Sequence, residues 1–327
     1  MNENINWGMI GTGDVTMKKS APSFNKIDNS SLVGVMNRNM EKAITYAKQH
    51  GVPKVFETAE ELINDPNINA IYIATPPSSH AEYAIRAMNA GKPVYVEKPM
   101  AATYSDCLSM NEVSNRTGVP LFVAYYRRSM DYFLKVRELL SENTIGKPVV
   151  CNSRFYRPPG PEDYEKENLP WRVVPEISGG GYFHDMGCHE LDIMLYLFGD
   201  VKNIDGFGRN VGGLYTPEDT IVYSIEFENG LLYSGAWCFY CDEGAAIDTI
   251  EIVGESGSIE FSCFGFTPIE LRNGDGKQEF PIAPPEHVQF PMISSVVEEL
   301  MGKGSSPSKG ESAAKINWMI EEILRRT

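Results

Sequence analysis

Residues 5–16 of the 327-residue chain read INWGMIGTGDVT. A short apolar run fills the first half of this stretch, and Gly11 and Gly13 follow it before a segment of helical composition. A strand that ends in a glycine-rich turn and leads into a helix is typical of dinucleotide binding, because glycines let the backbone approach a pyrophosphate at the helix N-terminus. Thr16 replaces the third glycine of that pattern. The stretch therefore predicts cofactor contacts at Gly11, Thr12, Gly13, Asp14 and Val15.

The same alternation of strand and helix continues through the first third of the chain. Helices are predicted over residues 40–50 and 80–90, and further strands over residues 32–36, 70–74, 94–96 and 121–124. Strands separated by helices require right-handed crossovers in a mainly parallel sheet. Residues 1–123 are therefore predicted to form an α/β domain of the Rossmann type, with a doubly wound parallel sheet.

Beyond residue 123 the pattern changes. Helices are predicted over residues 129–141 and 182–198, and strands over residues 148–155, 220–228, 231–239, 249–253 and 258–264. Asn229-Gly230, between two of these strands, is a strong hairpin signal. Residues 124–327 are therefore predicted to form a second, α+β domain, with helices on one face of a mainly antiparallel open sheet.

Charge and hydropathy exclude two classes of partner. The chain has 29 Lys and Arg against 44 Asp and Glu, a net charge of −15, which would repel a nucleic-acid backbone. The longest apolar run, residues 193–198, is far shorter than the ~20 residues of a membrane helix, and the first residues lack the features of a signal peptide. We expect a cytoplasmic protein that binds neither nucleic acid nor membrane.

The end of the second predicted strand carries Asn37 and Arg38. An acid at this position binds the 2′-hydroxyl of NAD, whereas an arginine can pair with the 2′-phosphate of NADP. Because the strand end has an arginine and no acid, both residues are predicted to contact an NAD(P) cofactor, with a modest preference for NADP.

Three further segments resemble the Gfo/Idh/MocA oxidoreductases, which include glucose-fructose oxidoreductase and inositol dehydrogenase. They read ATPPSSH at residues 74–80, AGKPVYVEKP at residues 90–99 and GGGYFHDMGCH at residues 179–189. The resemblance covers nearly the whole chain. It implies an NAD(P)-dependent dehydrogenase that acts on a secondary alcohol of a sugar, inositol or related cyclic polyol. It also implies a cis peptide bond between Lys98 and Pro99.

The positions of the polar residues agree with a site of this kind. Lys98 follows a predicted buried strand, so its ammonium group is expected at the C-terminal edge of the sheet, where open α/β sheets bind ligands. In the predicted helix over residues 182–198, a rotation of about 100° per residue places Asp185, His189 and Asp192 in one polar stripe. His184 lies about 140° from His189 on this helix, so the two imidazoles are not expected to share a metal ion.

In the family that these residues resemble, the lysine, the aspartate and the histidine serve catalysis, which implies catalytic roles for Lys98, Asp185 and His189. His189 is the expected general base, because imidazole titrates near the working pH. Asp185 would orient the imidazole, and Lys98 would hydrogen-bond the reacting oxygen. An alternative gives the proton transfer to Lys98, and the sequence leaves both assignments open.

The resemblance extends the candidate sites further. On the cofactor side it adds Thr75, Pro76, His80, Glu97, Lys98, Trp171 and Arg172. On the substrate side it implies Lys98, Tyr126, Tyr156, Asp185 and His189. Trp171-Arg172 is similar to a pair that reaches the nicotinamide end of the cofactor in some members.

The second domain also predicts self-association. Apolar residues alternate with polar ones over Ile221, Tyr223, Ile225 and Phe227, and this apolar face needs cover. Family members cover the open face of the sheet with a second copy. The resemblance therefore implies a homodimer or homotetramer that forms through the C-terminal sheet.

Two other functions stay open from the sequence. Some relatives of this fold hydrolyse glycosides through transient oxidation by a bound NAD. Others are non-catalytic nucleotide sensors that regulate a partner. A sensor is expected to have lost Lys98 or His189, and this chain has kept both.

Overall fold

The computed structural model describes residues 4–325, which form two compact units. Unit 1 contains residues 4–130 together with Pro285–Asn317, and unit 2 contains Asp131–Pro284 together with residues 318–325. The sequence-based division at residue 123 differs from this arrangement. The chain leaves unit 1 seven residues later, at residue 130, and returns to it for residues 285–317.

Unit 1 is built on a six-stranded parallel sheet, which confirms the predicted doubly wound α/β fold. Its strands are β1 (Ile5–Ile10), β2 (Ser30–Met36), β3 (Lys54–Phe56), β4 (Ala70–Ile73), β5 (Val94–Val96) and β6 (Leu121–Val123). They lie in the order β3-β2-β1-β4-β5-β6. The carboxyl ends of parallel strands share one edge, so the segments that follow β1, β2, β4 and β5 meet at that edge.

Helices connect these strands. They are α1 (Asp14–Lys18), α2 (Ala21–Phe24), α3 (Met40–His50), α4 (Ala59–Asn64), α5 (His80–Asn89) and α6 (Tyr104–Thr117). The bounds of α3 follow from its caps. The Asn39 side chain accepts the backbone N–H of Lys42, and Gly51 ends the helix with a φ of 67°.

Unit 2 contains an eight-stranded sheet in the order β14-β13-β12-β11-β7-β10-β9-β8. All neighbouring strands are antiparallel except β7 and β10, which confirms the mainly antiparallel sheet predicted from the sequence. The strands are β7 (Pro148–Tyr156), β8 (Val201–Arg209), β9 (Thr220–Phe227), β10 (Leu232–Cys238), β11 (Ile247–Gly254), β12 (Gly257–Phe261), β13 (Ile269–Asn273) and β14 (Gly276–Phe280).

The remaining helices are α7 (Asp131–Ser141), α8 (Pro175–Ser178), α9 (Cys188–Phe198), α10 (Phe290–Leu300) and α11 (Gly310–Leu324). A π-helix, Phe183–Gly187, immediately precedes α9. The segment predicted as a helix over residues 182–198 is therefore helical, but its first part is a π-helix and not the regular α-helix that was expected. In a π-helix the backbone bonds run from i to i+5, so the constant rotation assumed for Asp185 and His189 does not apply.

One face of the unit 2 sheet is covered by the chain itself. Ile221, Tyr223, Ile225 and Phe227 are all buried, so the expectation that these residues need cover from a second copy is wrong. Their side chains alternate with those of Val222 and Ser224, which lie on the opposite, open face.

Candidate active site

The glycine-rich turn after β1 has, at its first position, a backbone conformation that strongly favours glycine. Gly11 has a φ of 98°, and a Cβ there would lie 2.6 Å from the carbonyl oxygen of Ala74. A Cβ on Gly13 would meet nothing within 4 Å, so this residue borders open space. Thr16 is buried, and its hydroxyl donates to the carbonyl of Gly13 at 2.7 Å. The turn therefore leaves room for a pyrophosphate, and the hydrogen bond from Thr16 stabilises the turn.

A cavity of about 150 Å³ lies beside this turn in unit 1. It brings together seven of the predicted cofactor residues, Gly11, Thr12, Gly13, Asn37, Arg38, Thr75 and Pro76. The sequence-based prediction does not include the five other lining residues, Ile10, Met36, Ala74, Ser79 and Tyr83. Ser79 and Tyr83 lie four residues apart at the start of α5, a spacing that places two residues on one face of a helix.

Asn37 links the end of β2 to the glycine-rich turn. Its side-chain amide donates to the Thr12 hydroxyl at 2.7 Å, and its carbonyl oxygen accepts the N–H of Asn39 at 2.8 Å. Arg38, the next residue, is exposed at the mouth of the cavity. The chain thus presents a guanidinium and an amide where NAD-specific sites present a carboxylate. The glycines, the cavity and this polar edge fit the adenosine and phosphate portions of an NAD(P) cofactor.

Glu97 differs from the sequence-based prediction. This carboxylate is buried and accepts hydrogen bonds of 2.6 Å from the Tyr72 hydroxyl and from the Gln289 side-chain amide. Burial raises its pKa, and the two donors oppose that rise. Its side chain therefore supports the strand end from inside unit 1. The Lys98-Pro99 peptide bond beside it is cis, as expected.

His80 is also corrected by the structure. It is fully buried, with Nε2 at 2.7 Å from the Thr75 carbonyl oxygen and Nδ1 at 3.1 Å from that of Pro99. Burial lowers its pKa to about 4, so the imidazole is neutral at pH 7. His80 connects the segments that follow β4 and β5 and thereby stabilises two loops at this edge of the sheet. Because the side chain is fully buried, it has no exposed surface that could contact a cofactor.

Tyr126, predicted on the substrate side, is buried in a 3-10 turn that belongs to unit 1 and not to the second domain. The Arg127 guanidinium lies 5.1 Å from the centre of its ring. Arg128 donates from Nη1 to the Pro307 carbonyl at 2.8 Å and to the Ser312 hydroxyl at 3.2 Å. These contacts tie the end of residues 4–130 to the returning segment.

In unit 2, Asp185 pairs with Arg172. The guanidinium Nε of Arg172 donates to Asp185 Oδ2 at 2.9 Å, and the same guanidinium lies 4.7 Å from the centre of the Trp171 ring. The sequence analysis assigns Arg172 to the cofactor site and Asp185 to catalysis, and it does not predict an ion pair between them. The ion pair holds the 3-10 turn Trp171–Val173 against the π-helix.

His184 and His189 are both buried, on the π-helix and on the first turn of α9. The His184 ring occupies the space that a Cβ on Gly180 would fill, so this glycine of the Gly179-Gly180-Gly181 run permits close packing. Burial lowers the pKa of His184 to about 4. His189 lies 6.1 Å from Phe264, centre to centre, with the rings at 76°. Asp192 is buried too, so the predicted polar stripe is not a solvent-facing one.

Tyr156 lies on the other face of the sheet. It shares the alternation of Asn152 and Arg154, and with them it lines a groove of about 740 Å³ on the open face. Ser153 and Phe155 point to the opposite, buried face, where Ser153 bonds to Glu190 of α9. The structure therefore places Tyr156 on the face of the sheet opposite the one that packs against α9, and its substrate contact stays a prediction.

Within residues 4–325, no group of three or more His, Cys, Asp or Glu side chains has the geometry to hold a metal ion. Over the same residues, no helix combines the length and apolar character that spanning a bilayer requires.

Comparison with known proteins gives two family matches. The family model described as "Oxidoreductase family, NAD-binding Rossmann fold" matches residues 5–125. The model described as "GFO/IDH/MocA C-terminal domain" matches residues 133–260. The matches fall on both units and contain the cavity, Lys98, Asp185 and His189.

Individual relatives agree with these matches. The chain is 41% identical over 321 residues to Oxidoreductase P35 of Formosa agariphila, with 98% of each chain covered. It is 30% identical over 232 residues to the myo-inositol 2-dehydrogenase of Thermotoga maritima, covering 69% of this chain and 66% of that one. A levoglucosan dehydrogenase solved with NADH and levoglucosan has a TM-score of 0.85 at 22% identity, covering 98% and 96%, and shares the fold.

Proposed function

Because the chain belongs to the Gfo/Idh/MocA family of NAD-binding oxidoreductases, we propose that it transfers a hydride between a nicotinamide cofactor and a secondary alcohol of a sugar, inositol or related cyclic polyol. The family supplies the class of reaction. The proposal adds the substrate class, which is supported by the named activity of the Thermotoga maritima relative, an inositol dehydrogenase.

The observation that carries the proposal is the edge of the parallel sheet in unit 1. There the chain combines a glycine turn open at Gly13, a cavity lined by Arg38, and Lys98 two residues after β5. In an open α/β sheet, the segments that follow neighbouring strands bind the ligand. We therefore propose that Lys98, which follows the strand next to β4, lies on the nicotinamide side of a bound cofactor.

A bound nicotinamide supplies the hydride acceptor for oxidation and the hydride donor for reduction. The residues of the chain handle the proton and the charge. We propose that His189 accepts the hydroxyl proton of the alcohol and that Lys98 stabilises the developing negative charge on oxygen through its ammonium group. Asp185, already paired with Arg172, fixes the segment before His189. Proton transfer to Lys98 is the alternative assignment.

The test is a substrate screen against both cofactors. Sugars, inositols and aromatic diols are offered to the purified protein with NAD and NADP, and reduced cofactor is followed at 340 nm. The proposal expects turnover with at least one polyol or sugar. Turnover of aromatic diols alone would contradict the proposed substrate class. Glycoside cleavage without net cofactor reduction would contradict the proposed reaction.

We further propose that the protein prefers NADP modestly, since Arg38 can donate two charge-assisted hydrogen bonds to the 2′-phosphate. The net charge of −15 opposes the more anionic cofactor, but this field is screened beyond about 8 Å at physiological salt. Arg38→Ala is expected to weaken NADP binding by about 1.5–3 kcal/mol, the range for hydrogen bonds to charged groups, and to leave NAD binding nearly unchanged.

Calorimetric titration of each cofactor into wild type and Arg38→Ala measures this difference. Lys42→Ala is the matched control, because Lys42 is an exposed cation in the first turn of the neighbouring helix and does not line the cavity. Tighter binding of NAD than of NADP by the wild-type protein would contradict the assignment of Arg38.

The open face of the unit 2 sheet supports a proposal of self-association. Val222 and Leu232 on this face are 49% and 56% exposed, and a groove of about 740 Å³ runs beside Val222. We propose that a second copy covers the face, giving a homodimer or a homotetramer. Light scattering at micromolar concentration is expected to give at least twice the 36.5 kDa chain mass.

Leu232→Glu is expected to shift this protein toward the monomer, because it places a charge in the proposed interface. Leu108→Glu is the control, since Leu108 is 48% exposed but lies on α6 of unit 1. A wild-type monomer under these conditions would refute the proposal.

A further inference from the structure

Glu190 is a buried carboxylate that the proposed reaction does not use. It follows His189 in the first turn of α9, and only 1% of its surface is exposed. Burying a carboxylate is costly unless its oxygens are hydrogen-bonded, so Glu190 needs hydrogen-bond partners that offset this cost. Burial raises the pKa of Glu190, and the hydrogen bonds described next act in the opposite direction.

Four donors converge on one oxygen of this carboxylate. Glu190 Oε1 accepts from the hydroxyls of Tyr223 and Tyr233 at 2.6 Å each. It also accepts from the Ser153 hydroxyl at 2.8 Å and from the indole N–H of Trp237 at 3.0 Å. None of these four partners is a cation. The donors come from β7, β9 and β10, so a single atom of α9 is tied to three adjacent strands.

The sheet is arranged to direct these donors to one point. Gly235 on β10 pairs with Ser153 of β7 on one side and with Tyr223 of β9 on the other. Tyr233 and Trp237 lie two residues before and after Gly235, and therefore on the same face. A Cβ on Gly235 would overlap the Tyr223 ring. The glycine thus lets that ring lie across the centre of the cluster, with its hydroxyl at Glu190.

Helix α9 needs an external constraint at this end. Its first turn continues directly from the π-helix Phe183–Gly187, in which the regular i to i+4 ladder is interrupted. Apolar packing resists separation of a helix from a sheet but restrains its rotation weakly. Hydrogen bonds from three strands to one oxygen fix that rotation, because each bond has a preferred direction and length.

We propose that Glu190 and its donors Ser153, Tyr223, Tyr233 and Trp237 are positioning residues that set the rotation of the turn bearing His189. The proposal rests on the proton-accepting role of His189 proposed above. Its consequence is kinetic: a small displacement of a catalytic group can lower turnover by about 10²-fold without removing any group that contacts substrate.

Tyr223→Phe and Tyr233→Phe test the proposal with little risk to folding. Each removes one donor, and the three donors that remain keep their hydrogen bonds to Glu190 Oε1. We expect kcat to fall about 10- to 100-fold in each variant. Cofactor affinity and KM are expected to stay within about 2-fold, because the change affects an oriented group and not a binding contact.

Tyr132→Phe is the matched control. Tyr132 is equally buried in unit 2, accepts the N–H of Ser262 at 3.0 Å and donates to the Thr267 carbonyl at 2.8 Å, but lies on α7. All three variants are expected to lower Tm by similar amounts, since each loses buried hydrogen bonds. Only the two cluster variants are expected to lower kcat. Unchanged kcat in both, together with a lowered Tm, would reduce the cluster to a structural role and overturn the proposal.

A readout independent of turnover separates this proposal from the proposed function. The chain has five histidines, so the ring ¹³C signal of His189 in protein labelled at histidine can be assigned by its loss in His189→Ala. We expect this signal to shift or broaden in Tyr233→Phe and to be unchanged in Tyr132→Phe. An unmoved signal contradicts positioning, whatever the activity shows. A moved signal with wild-type turnover in His189→Ala upholds positioning and rejects the catalytic role of His189.

Discussion

Lys98→Met is expected to lower kcat by about 10²- to 10⁴-fold while cofactor binding stays close to that of the wild type. Methionine has nearly the length of lysine but lacks both the positive charge and the N–H donors, so it cannot stabilise negative charge on the substrate oxygen. Lys98 lies two residues after β5, between the buried Glu97 and a cis proline bond. Its backbone is therefore held by contacts that the substitution does not remove.

The same strand offers a matched control for Lys98→Met. Lys92 lies just before β5, at the opposite edge of the sheet, and its ammonium group donates to the Asp65 carbonyl at 2.6 Å. Lys92→Met makes the identical chemical change away from the cofactor edge and is expected to leave kcat unaltered. Steady-state kinetics with the substrate found in the screen, together with cofactor titration, measures both variants. Turnover of Lys98→Met within a few-fold of the wild type would reject the assigned role.

The strands that could be predicted from sequence are those with a buried, continuous apolar run. In β1, β4 and β5 every residue or nearly every residue is buried, and such runs stand out in the sequence. β3 was missed because it has three residues, one of them an exposed lysine. β14 was missed because four of its five residues are exposed, so no apolar period marks it.

The parts of the site that sequence reasoning located are local in the chain. The glycine turn, the end of β2 and the Lys98 segment each consist of a few consecutive residues with a recognisable pattern. Gln289 was not located, because it reaches Glu97 from 192 residues away, on a segment that returns to unit 1. No local pattern in the sequence marks such a contact.

The orientation of side chains was predicted less well than the elements that carry them. The π-helix shifted the positions assumed for Asp185 and His189, because a helical wheel presumes one constant rotation. Tyr156 was placed with the substrate, although the period of two along β7 puts it on the open face. His80 was placed with the cofactor, although both of its ring nitrogens face carbonyl oxygens inside unit 1. The face of Tyr156 follows from the alternation along its own strand, whereas the partners of His80 are set by segments that only the fold brings together.

His189→Ala is the second substitution with a large expected effect, again a decrease in kcat of about 10²- to 10⁴-fold. The variant removes the imidazole from the first turn of α9, and Glu190 continues to anchor that turn through its four donors. The backbone of α9 is therefore expected to persist, and the cofactor residues of unit 1 are unchanged. Cofactor affinity measured by calorimetry should accordingly match that of the wild type.

Added imidazole distinguishes His189 from Lys98 as the proton acceptor. Removing the buried ring leaves a space near its size beside Phe264, and a small base that enters this space can restore proton transfer. If His189 accepts the proton, imidazole is expected to restore part of the turnover of His189→Ala in a concentration-dependent manner. It should have no such effect on Lys98→Met or on the wild type. If His189→Ala retains wild-type turnover while Lys98→Met does not, the proton acceptor is Lys98, and the histidine assignment is wrong.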